Sequence, residues 1–393
     1  MRGPRPLAAL VAVASTLVAC SSGDGAVATT AAPTTTVKDQ SNAAAVTTTV
    51  FRSGEDGYNT FRIPAVVAAR NGTLLAFAEG RKASAADSGQ VDLVEKRSTD
   101  GGTIWGPVQV VAADQANFVG NPSPVVDHAT GRVIVLAAHK NGADTELQIL
   151  TGTGQDTSRV WLVSSDDNGT TWNAPRDITA EVKRPEWRWN TVGPGHAIQL
   201  GTGPHSGRLV AAANHSNPAS GAGGHVLLSD DGGLTWRIGA VDEPGQNPSP
   251  DESTAAQLPD GTIVFSSRNE NQGATWHRLR TTSTDGGETF AAPYSEQAGL
   301  VVPAVQGSLL WEPAGRLLFS APSSATQRVD LRIRTSTDAG TTWSDGTLIA
   351  PGPAGYSDLV ALPDGRIGNL HEAGTTNPYE RIDLTVIGTK QLR

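Results

Sequence analysis

The sequence predicts an all-β chain folded as a six-bladed β-propeller. Three observations predict it: a short turn motif occurs five times, a strand–turn–strand segment occurs six times, and one further β-rich run lies near the end of the sequence. The motif reads Ser-x-Asp-x-Gly-x-Thr-aromatic. Its copies run from Ser98 to Trp105, Ser165 to Trp172, Ser229 to Trp236, Ser283 to Phe290 and Ser336 to Trp343, with Ile104 in place of the threonine in the first. The leading serines are 67, 64, 54 and 53 residues apart. A period of that size belongs to propellers, solenoids or arrays.

Each motif carries turn chemistry. Ser and Asp hydrogen-bond nearby backbone, Gly supplies φ > 0, and the aromatic can pin the turn to a neighbour. A β-rich run precedes each copy, as in Val91-Asp-Leu-Val and Leu331-Arg-Ile-Arg, so each motif is expected to close a hairpin. The second repeat comprises the segments Arg62 to Gly80, Ser123 to His139, His196 to His215, Ser253 to Arg268, Val305 to Ser320 and Tyr356 to His371. Their turns hold Asn71-Gly72, Thr130-Gly131, Ser206-Gly207, Asp260-Gly261, Ala314-Gly315 and Asp364-Gly365, which are hairpin signals. Five of these hairpins are followed by a motif. The sixth is followed by Ile382-Asp-Leu-Thr-Val. Six four-stranded blades account for both repeats. The rival architecture, a parallel β-helix, would have shorter and more regular rungs.

Residues 1–19 read as a lipoprotein-type signal peptide: Arg2 and Arg5 precede an apolar run from Leu7 to Ala19 that is too short to span a membrane. Leu17-Val18-Ala19-Cys20 resembles a lipoprotein cleavage site, so Cys20, the one cysteine, is the expected lipidation position. An ordinary secretion signal followed by an incidental cysteine is the alternative. Residues 20–49 are dominated by Ala, Thr and Ser and read as a disordered tether. The propeller is expected over residues 50–393, with no helix of useful length. One cysteine excludes an intrachain disulfide, so the fold rests on its core, for which the chain is long enough.

The formal net charge is −9, and removal of Arg2 and Arg5 with the signal makes it −11. That excludes nucleic acid as an expected partner and leaves the membrane as a partner through the lipid anchor only. An anionic substrate would need local arginines. No zinc-ligand spacing, EF-hand loop or phosphate-binding glycine loop is present, so neither cofactor nor metal is expected. The Asp residues of the repeated motifs are dispersed around the ring and read as turn stabilisers.

Hairpin arithmetic places the chemistry. With four strands A to D per blade, the start of A, the end of B and the B–C loop share one rim. The repeated C–D turns lie on the other. The first rim then gathers Arg62, Arg81 and Asp87 from blade one, Glu252 and Arg268 from blade four, Arg328 from blade five, and Tyr356 and Glu372 from blade six. The pairs Glu252/Arg268 and Tyr356/Glu372 each span 16 residues, a spacing that returns both members to one rim. For any one of these residues an ordinary salt bridge is the plain explanation; their shared position in four blades favours a site. Pro122, Lys140, His196, Asn214 and His215 are further rim positions. The loop Trp187-Arg188-Trp189-Asn190 is expected to enter blade three there, its tryptophans either stacking on a sugar or filling gaps between blades.

Phe61-Arg62-Ile63-Pro64 resembles the arginine motif of sialidases (neuraminidases), and the five repeats resemble that family's Asp boxes. The resemblance covers nearly all of residues 55–387 and includes Asp87-Ser-Gly-Gln-Val-Asp-Leu-Val, Gly193-Pro-Gly-His and Tyr356-Ser-Asp-Leu-Val. Asp boxes alone are weakly specific; the arginine motif with these acids, tyrosine and further arginines is far more so. The resemblance implies that Arg62, Arg268 and Arg328 clamp a sialic acid carboxylate, that Glu372 holds Arg62, and that Arg81 contacts ring substituents. It implies Asp87 as acid/base, Tyr356 as nucleophile and Glu252 as its proton partner. Departures are Ile104 in the first box, and His371 where many relatives have Tyr. The implied activity is that of a retaining exo-α-sialidase acting on sialylated glycans. A trans-sialidase would use the same residues with an acceptor platform. A sialic-acid-binding propeller would be expected to lack Tyr356, Glu252 or Asp87. A propeller hydrolase for another sugar would not need three arginines.

Overall fold

The computed structural model describes residues 1, 3, 38–217, 221–243, 248–270 and 276–393. The signal, Cys20 and most of the expected tether lie outside them. From Lys38 onward the chain is one compact unit. It is all-β, as expected. After β1 (Val46–Arg52), six antiparallel groups follow in chain order. The first is β2 (Thr60–Ala68), β3 (Leu74–Arg81), β4 (Val91–Ser98) and β5 (Gln109–Ala112). The second is β6 (Phe118–Val126), β7 (Val133–Lys140), β8 (Arg159–Ser165) and β9 (Arg176–Asp177). The third is β10 (Trp189–Val192) and β11 (Ile198–Gln199), both paired with β12 (Leu209–Asn217), then β13 (Gly221–Ser229) and β14 (Arg237–Val241). The fourth is β15 (Pro250–Gln257), β16 (Ile263–Asn269), β17 (His277–Ser283) and β18 (Ser295–Val301). The fifth is β19 (Ser308–Glu312), β20 (Arg316–Pro322), β21 (Val329–Ser336) and the first half of β22 (Thr347–Ala361). The second half of β22 opens the sixth group, with β23 (Arg366–Ala373) and β24 (Arg381–Gly388). β24 would be left as an open edge, and β1 pairs with it over Val46–Arg52.

The turn glycines behave as the sequence requires. Gly72, Gly131, Gly207, Gly261, Gly315 and Gly365 all take φ between 82° and 99°, backbone that favours glycine. Packing between groups is equally regular. Separate apolar clusters join the first group to the second, the second to the third, the third to the fourth, the fourth to the fifth, the fifth to the sixth and the sixth back to the first.

The five repeated turns are built alike. In each, the serine hydroxyl donates to the Asp carboxylate and accepts from the glycine N–H, with every Gly N to Ser Oγ distance 2.9 Å. In the last four the threonine hydroxyl donates to the other Asp oxygen at 2.5–2.6 Å. Ile104 cannot, and only its N–H reaches Asp100, at 3.0 Å. The aromatics Trp105, Trp172, Trp236, Phe290 and Trp343 each pack into the apolar cluster shared with the preceding group. The motif is thus a turn lock and a wedge between neighbours.

Three expectations are corrected. Val46–Thr49 belong to β1, so ordered structure begins ahead of the boundary expected at residue 50. The α-helices among the described residues, α1 (Glu146–Thr151) and α2 (Thr179–Val182), are short, so the expectation of no long helix is unchanged; α1 is closed by a capping box from Thr145 and Gln148 and a left-handed Gly152. Trp189 and Asn190 are strand rather than loop, pairing with Ser216 and His215. Finally, His196 is not at the rim. It lies against buried Asp358, Nδ1 to Oδ1 2.7 Å, because β10 and β11 are interrupted at Gly193-Pro194, where proline cannot donate to a ladder.

Candidate active site

One cavity of ≈ 830 Å³ collects seven of the eight candidate site residues: Arg62, Arg81, Asp87, Glu252, Arg268, Arg328 and Tyr356. Glu372 is fully buried behind it. The cavity is reached from strands of several groups, and local backbone aims each side chain.

Arg62 sits where β2 slips register against β3, between Arg62 and Ala65, with Ile63 at φ 57°. A bulge of this kind turns a side chain out of the ladder's alternation. Glu372 then fixes three groups. Its Oε1 accepts from Arg62 Nε at 2.9 Å and from the Ile63 N–H at 3.1 Å, and its Oε2 accepts from the Tyr356 N–H at 3.0 Å. Gly355 is required beside it, since a Cβ there would collide with Oε2 of Glu372. Burial disfavours the Arg62 cation, but Glu372 together with the tyrosines Tyr356 and Tyr379 outweighs it, and the guanidinium stays charged.

Tyr356 lies in β22, whose second half pairs with β23. Its hydroxyl donates to Glu252 Oε1. Arg268 Nη1 reaches both partners, at 3.0 Å from Glu252 Oε2 and 3.1 Å from the phenol oxygen. Arg268 also contacts Glu270 at 2.6 Å and Asp251 at 3.7 Å. The guanidiniums of Arg62 and Arg328 each lie 5.2 Å from the Tyr356 ring centroid. Burial, then the Glu252 carboxylate, holds the phenol well above its ordinary pKa, against the pull of Arg268, Arg328 and Arg62. The resting phenol is therefore neutral, with a carboxylate positioned to take its proton.

Arg328, not Arg332 or Arg334, lines the cavity. Its Nη2 donates to the Ala304 carbonyl at 2.9 Å and its Nη1 to the Tyr379 hydroxyl at 3.0 Å. Arg332 is turned to the Gly346 carbonyl, at 2.8 Å. The acidic member of the first group is placed differently. Asp87 lies in the β3–β4 loop with its side chain 85% exposed, at 2.8 Å from Arg81 Nη2 and 3.7 Å from Arg62 Nη1. The concave surroundings push its pKa up, while Arg81 and then Arg62 pull it down, and the arginines prevail.

Sequence reasoning missed several lining residues. Tyr379 stacks under Arg62 at 4.1 Å and holds Arg328, yet it lies in the connection from β23 to β24, outside every repeat. Glu79 and Asn121 also line the cavity, as do Glu146, Leu147 and Leu150 of α1; only the capping signal Thr145-x-x-Gln148 could have announced the helix. Of the further rim positions, Lys140 and Asn214 do line it. His215 is buried under Trp187, rings 3.9 Å apart, so Trp187 is a gap filler, whereas Trp189 faces the cavity. Pro122 is buried, its carbonyl accepting from the Gly195 N–H at 3.0 Å. Among the described residues no group of three or more His, Cys, Asp or Glu is placed to hold a metal ion. The arrangement suits a ligand with a carboxylate beside an electrophilic carbon.

Known proteins give the same direction. Residues 72–371 match the BNR repeat-like domain model. An exo-alpha-sialidase of Aspergillus fumigatus is 33% identical over 82% of this chain and 80% of its own length. The chain belongs to the sialidase family. A sialidase of Micromonospora viridifaciens is 34% identical over 86% of this chain, which spans about half of that longer protein, 53%. Human Sialidase-3 is 30% identical over 87% of this chain and 92% of its own. Among solved structures, the Hadza microbial sialidase Hz136 superposes with a TM-score of 0.78 at 28% identity, over 88% of this sialidase-family chain and 69% of its own. A leech intramolecular trans-sialidase shares the fold, with a TM-score of 0.72 at 18% identity over 87% of this chain and 70% of its own.

Proposed function

We propose that this protein is a retaining exo-α-sialidase that releases terminal α-linked sialic acids from glycoproteins, glycolipids or oligosaccharides. The observation that carries the reading is the contact of Tyr356 with both Glu252 and Arg268, in the cavity that also holds Arg62, Arg328 and Asp87. Arg62, Arg268 and Arg328 neutralise and orient the substrate carboxylate by charge-assisted hydrogen bonds, which guanidinium forks make better than ammonium groups. Arg81 contacts substituents of the ring.

Sialic acid bears its carboxylate on the anomeric carbon, so an Asp or Glu nucleophile would meet like charge. A neutral phenol avoids this. Tyr356 attacks the anomeric carbon as its proton passes to Glu252, and Asp87 gives a proton to the departing oxygen. A tyrosine in this role departs from the usual pair of carboxylates. Water, deprotonated by Asp87, then attacks the anomeric carbon of the tyrosyl ketoside from the side the leaving group vacated, and the departing phenol oxygen takes its proton back from Glu252. Two inversions give retention. Asp87 is held below its ordinary pKa in the free protein, and a bound anionic substrate, by occupying the arginines, restores its affinity for a proton.

The six antiparallel groups are, in this reading, the six blades of a propeller with the cavity at one mouth. Six mutually packed interfaces, including the sixth group on the first, support it. The segment ending at Cys20 supports export and anchoring at the cell surface through lipid on that sulfur, with secretion as the alternative. The test is to incubate the protein with α2,3-, α2,6- and α2,8-linked sialosides, with and without excess lactose, and to identify the products. Free sialic acid is expected. Release from none of them would sink the reading, and transfer to lactose in place of release would make the enzyme a trans-sialidase.

A further inference from the structure

Two arginines at the mouth of the cavity are buried, and each has its own buried carboxylate. Arg62 has Glu372, Nε to Oε1 2.9 Å. Arg81, whose side chain is 2% exposed, has Glu79, which is fully buried. Glu79 Oε2 accepts from Arg81 Nε at 2.9 Å and from Nη2 at 2.7 Å, a forked contact. The same Nη2 lies 2.8 Å from Asp87, and Nη1 donates to the Ala85 carbonyl in the Asp87 loop. Two buried cations are therefore matched by two buried anions before Asp87 is counted. Asp87 can gain or lose a proton without leaving a buried guanidinium alone, a state that is strongly unfavourable.

Glu79 does a second thing. Its Oε1 accepts from the Asn121 N–H at 2.9 Å. Asn121 lines the cavity from the neighbouring group, with φ 50°. The approach is close: a Cβ at residue 120 would run into Oε1 of Glu79 and the Phe118 ring, and one of them would have to move. One carboxylate thus sets the fork of Arg81 and the backbone of Asn121 together.

We propose that Glu79 is a positioning residue, which supplies Arg81 with its buried counterion so that Asp87 is free to exchange a proton, and which fixes Asn121 at the same mouth. The inference rests on the sialidase reading and on Asp87 as its acid/base. The charged groups facing Asp87 are Arg81 and Arg62 within 4 Å, with Lys140 and Glu146 also bearing on it. Removing the Glu79 charge leaves Asp87 as the nearest carboxylate of Arg81. The ionised form of Asp87 is then favoured, and the fraction able to donate a proton falls at a given pH.

The test is the pH profile of kcat/KM for Glu79→Gln, measured on 3′-sialyllactose and on an activated aryl sialoside. The limb governed by loss of the acid's proton is expected to move to lower pH. At neutral pH the natural linkage is expected to lose about tenfold or more, within the ~10²–10⁴ that general acid catalysis supplies, while the aryl substrate loses less. Glu79→Asp keeps the charge but withdraws it by one methylene, so it should hold the limb near its wild-type position and still lower kcat/KM. A folded Glu79→Gln with unchanged limb and unchanged ratio between the substrates overturns the proposal. So does failure of both variants to fold, which would make Glu79 a structural residue only. Inactivity of the wild type on every sialoside is a different result, and it would strike the sialidase reading itself.

Discussion

Tyr356 and Glu252 meet hydroxyl to carboxylate, although 104 residues separate them in the chain. Glu252 lies in β15 of the fourth group and Tyr356 in β22, where the sixth begins. Their contact exists only because the groups close on one another, so it reports the fold as well as the chemistry. Arg268 bridges the pair. Its Nη1 donates to the Glu252 carboxylate and to the phenol oxygen alike.

The two halves of the acid–nucleophile assignment separate by leaving group. On the proposed mechanism Asp87→Asn removes the proton donor, which matters most when the aglycone leaves poorly. It is expected to lose far more activity on a sialyl-galactose linkage than on a 4-nitrophenyl sialoside. Tyr356→Phe removes the proposed attacking oxygen and is expected to impair both. Kinetics on the two substrates checks this, and equal activity ratios for the two variants would remove the basis for distinguishing their roles.

The clamp is tested by Arg62→Ala and Arg268→Ala. Each removes a proposed charge-assisted partner of the substrate carboxylate and takes from a protein carboxylate, Glu372 or Glu252, the guanidinium that now pairs it. A loss of about 2–5 kcal/mol in transition-state stabilisation is expected for a desolvated charged pair. A normal melting transition is the control, and near-wild-type kcat/KM in a folded variant contradicts the assignment.

Anchoring is tested at Cys20. Cys20→Ser lacks the sulfur that a thioether-linked lipid needs, so the variant is expected to leave the membrane fraction of its host. Unchanged fractionation excludes the lipoprotein reading.

Much of this geometry was readable in the sequence because it is topological. A 16-residue hairpin returns Glu252 to Arg268 and Tyr356 to Glu372 whatever surrounds them, and the pairs meet as expected. What was not readable depends on packing between groups. Glu79 lies two residues from Arg81 on one strand, where nothing distinguishes it from an ordinary charge until β6 packs against it. Tyr379 stands outside the repeats and gains its place only when β2 and β21 bring Arg62 and Arg328 beside it. Val46–Thr49 look like tether because Thr and Val there adjoin an Ala/Thr/Ser tract; the open edge of β24 turns them into a strand.

The missing threonine of the first Asp box gives a stability test. Ile104 is 71% exposed, and the other four boxes place a hydroxyl on the Asp at this position. Ile104→Thr restores that bond and removes exposed apolar surface. Stabilisation of about 0.5–1.5 kcal/mol is expected from one added hydrogen bond, read by denaturant unfolding at constant m-value.

Glu95 couples stability to pH. It is fully buried beneath the second box. Its Oε1 accepts from Trp172 Nε1 at 2.8 Å, while its Oε2 has no hydrogen-bond partner among the described residues. Burial pushes its pKa from 4.5 up to about 7, opposed by the Trp172 hydrogen bond and Arg97 and aided by Asp167. The folded state therefore binds this proton more tightly than the unfolded chain does. The resulting stability is complete below pH 4.5 and is lost as pH rises through about 7. The full shift corresponds to about 3 kcal/mol at most, at 1.36 kcal/mol per unit. Glu95→Gln cannot ionise, so it is exempt from that loss. Its amide introduces a buried donor that costs about 1–3 kcal/mol if unpaired, which sets a constant offset and not a slope. Relative to wild type, the variant's melting temperature is therefore expected to rise steadily between pH 4.5 and 7 and to level off above. A difference that stays flat across this window would show that Glu95 does not titrate there.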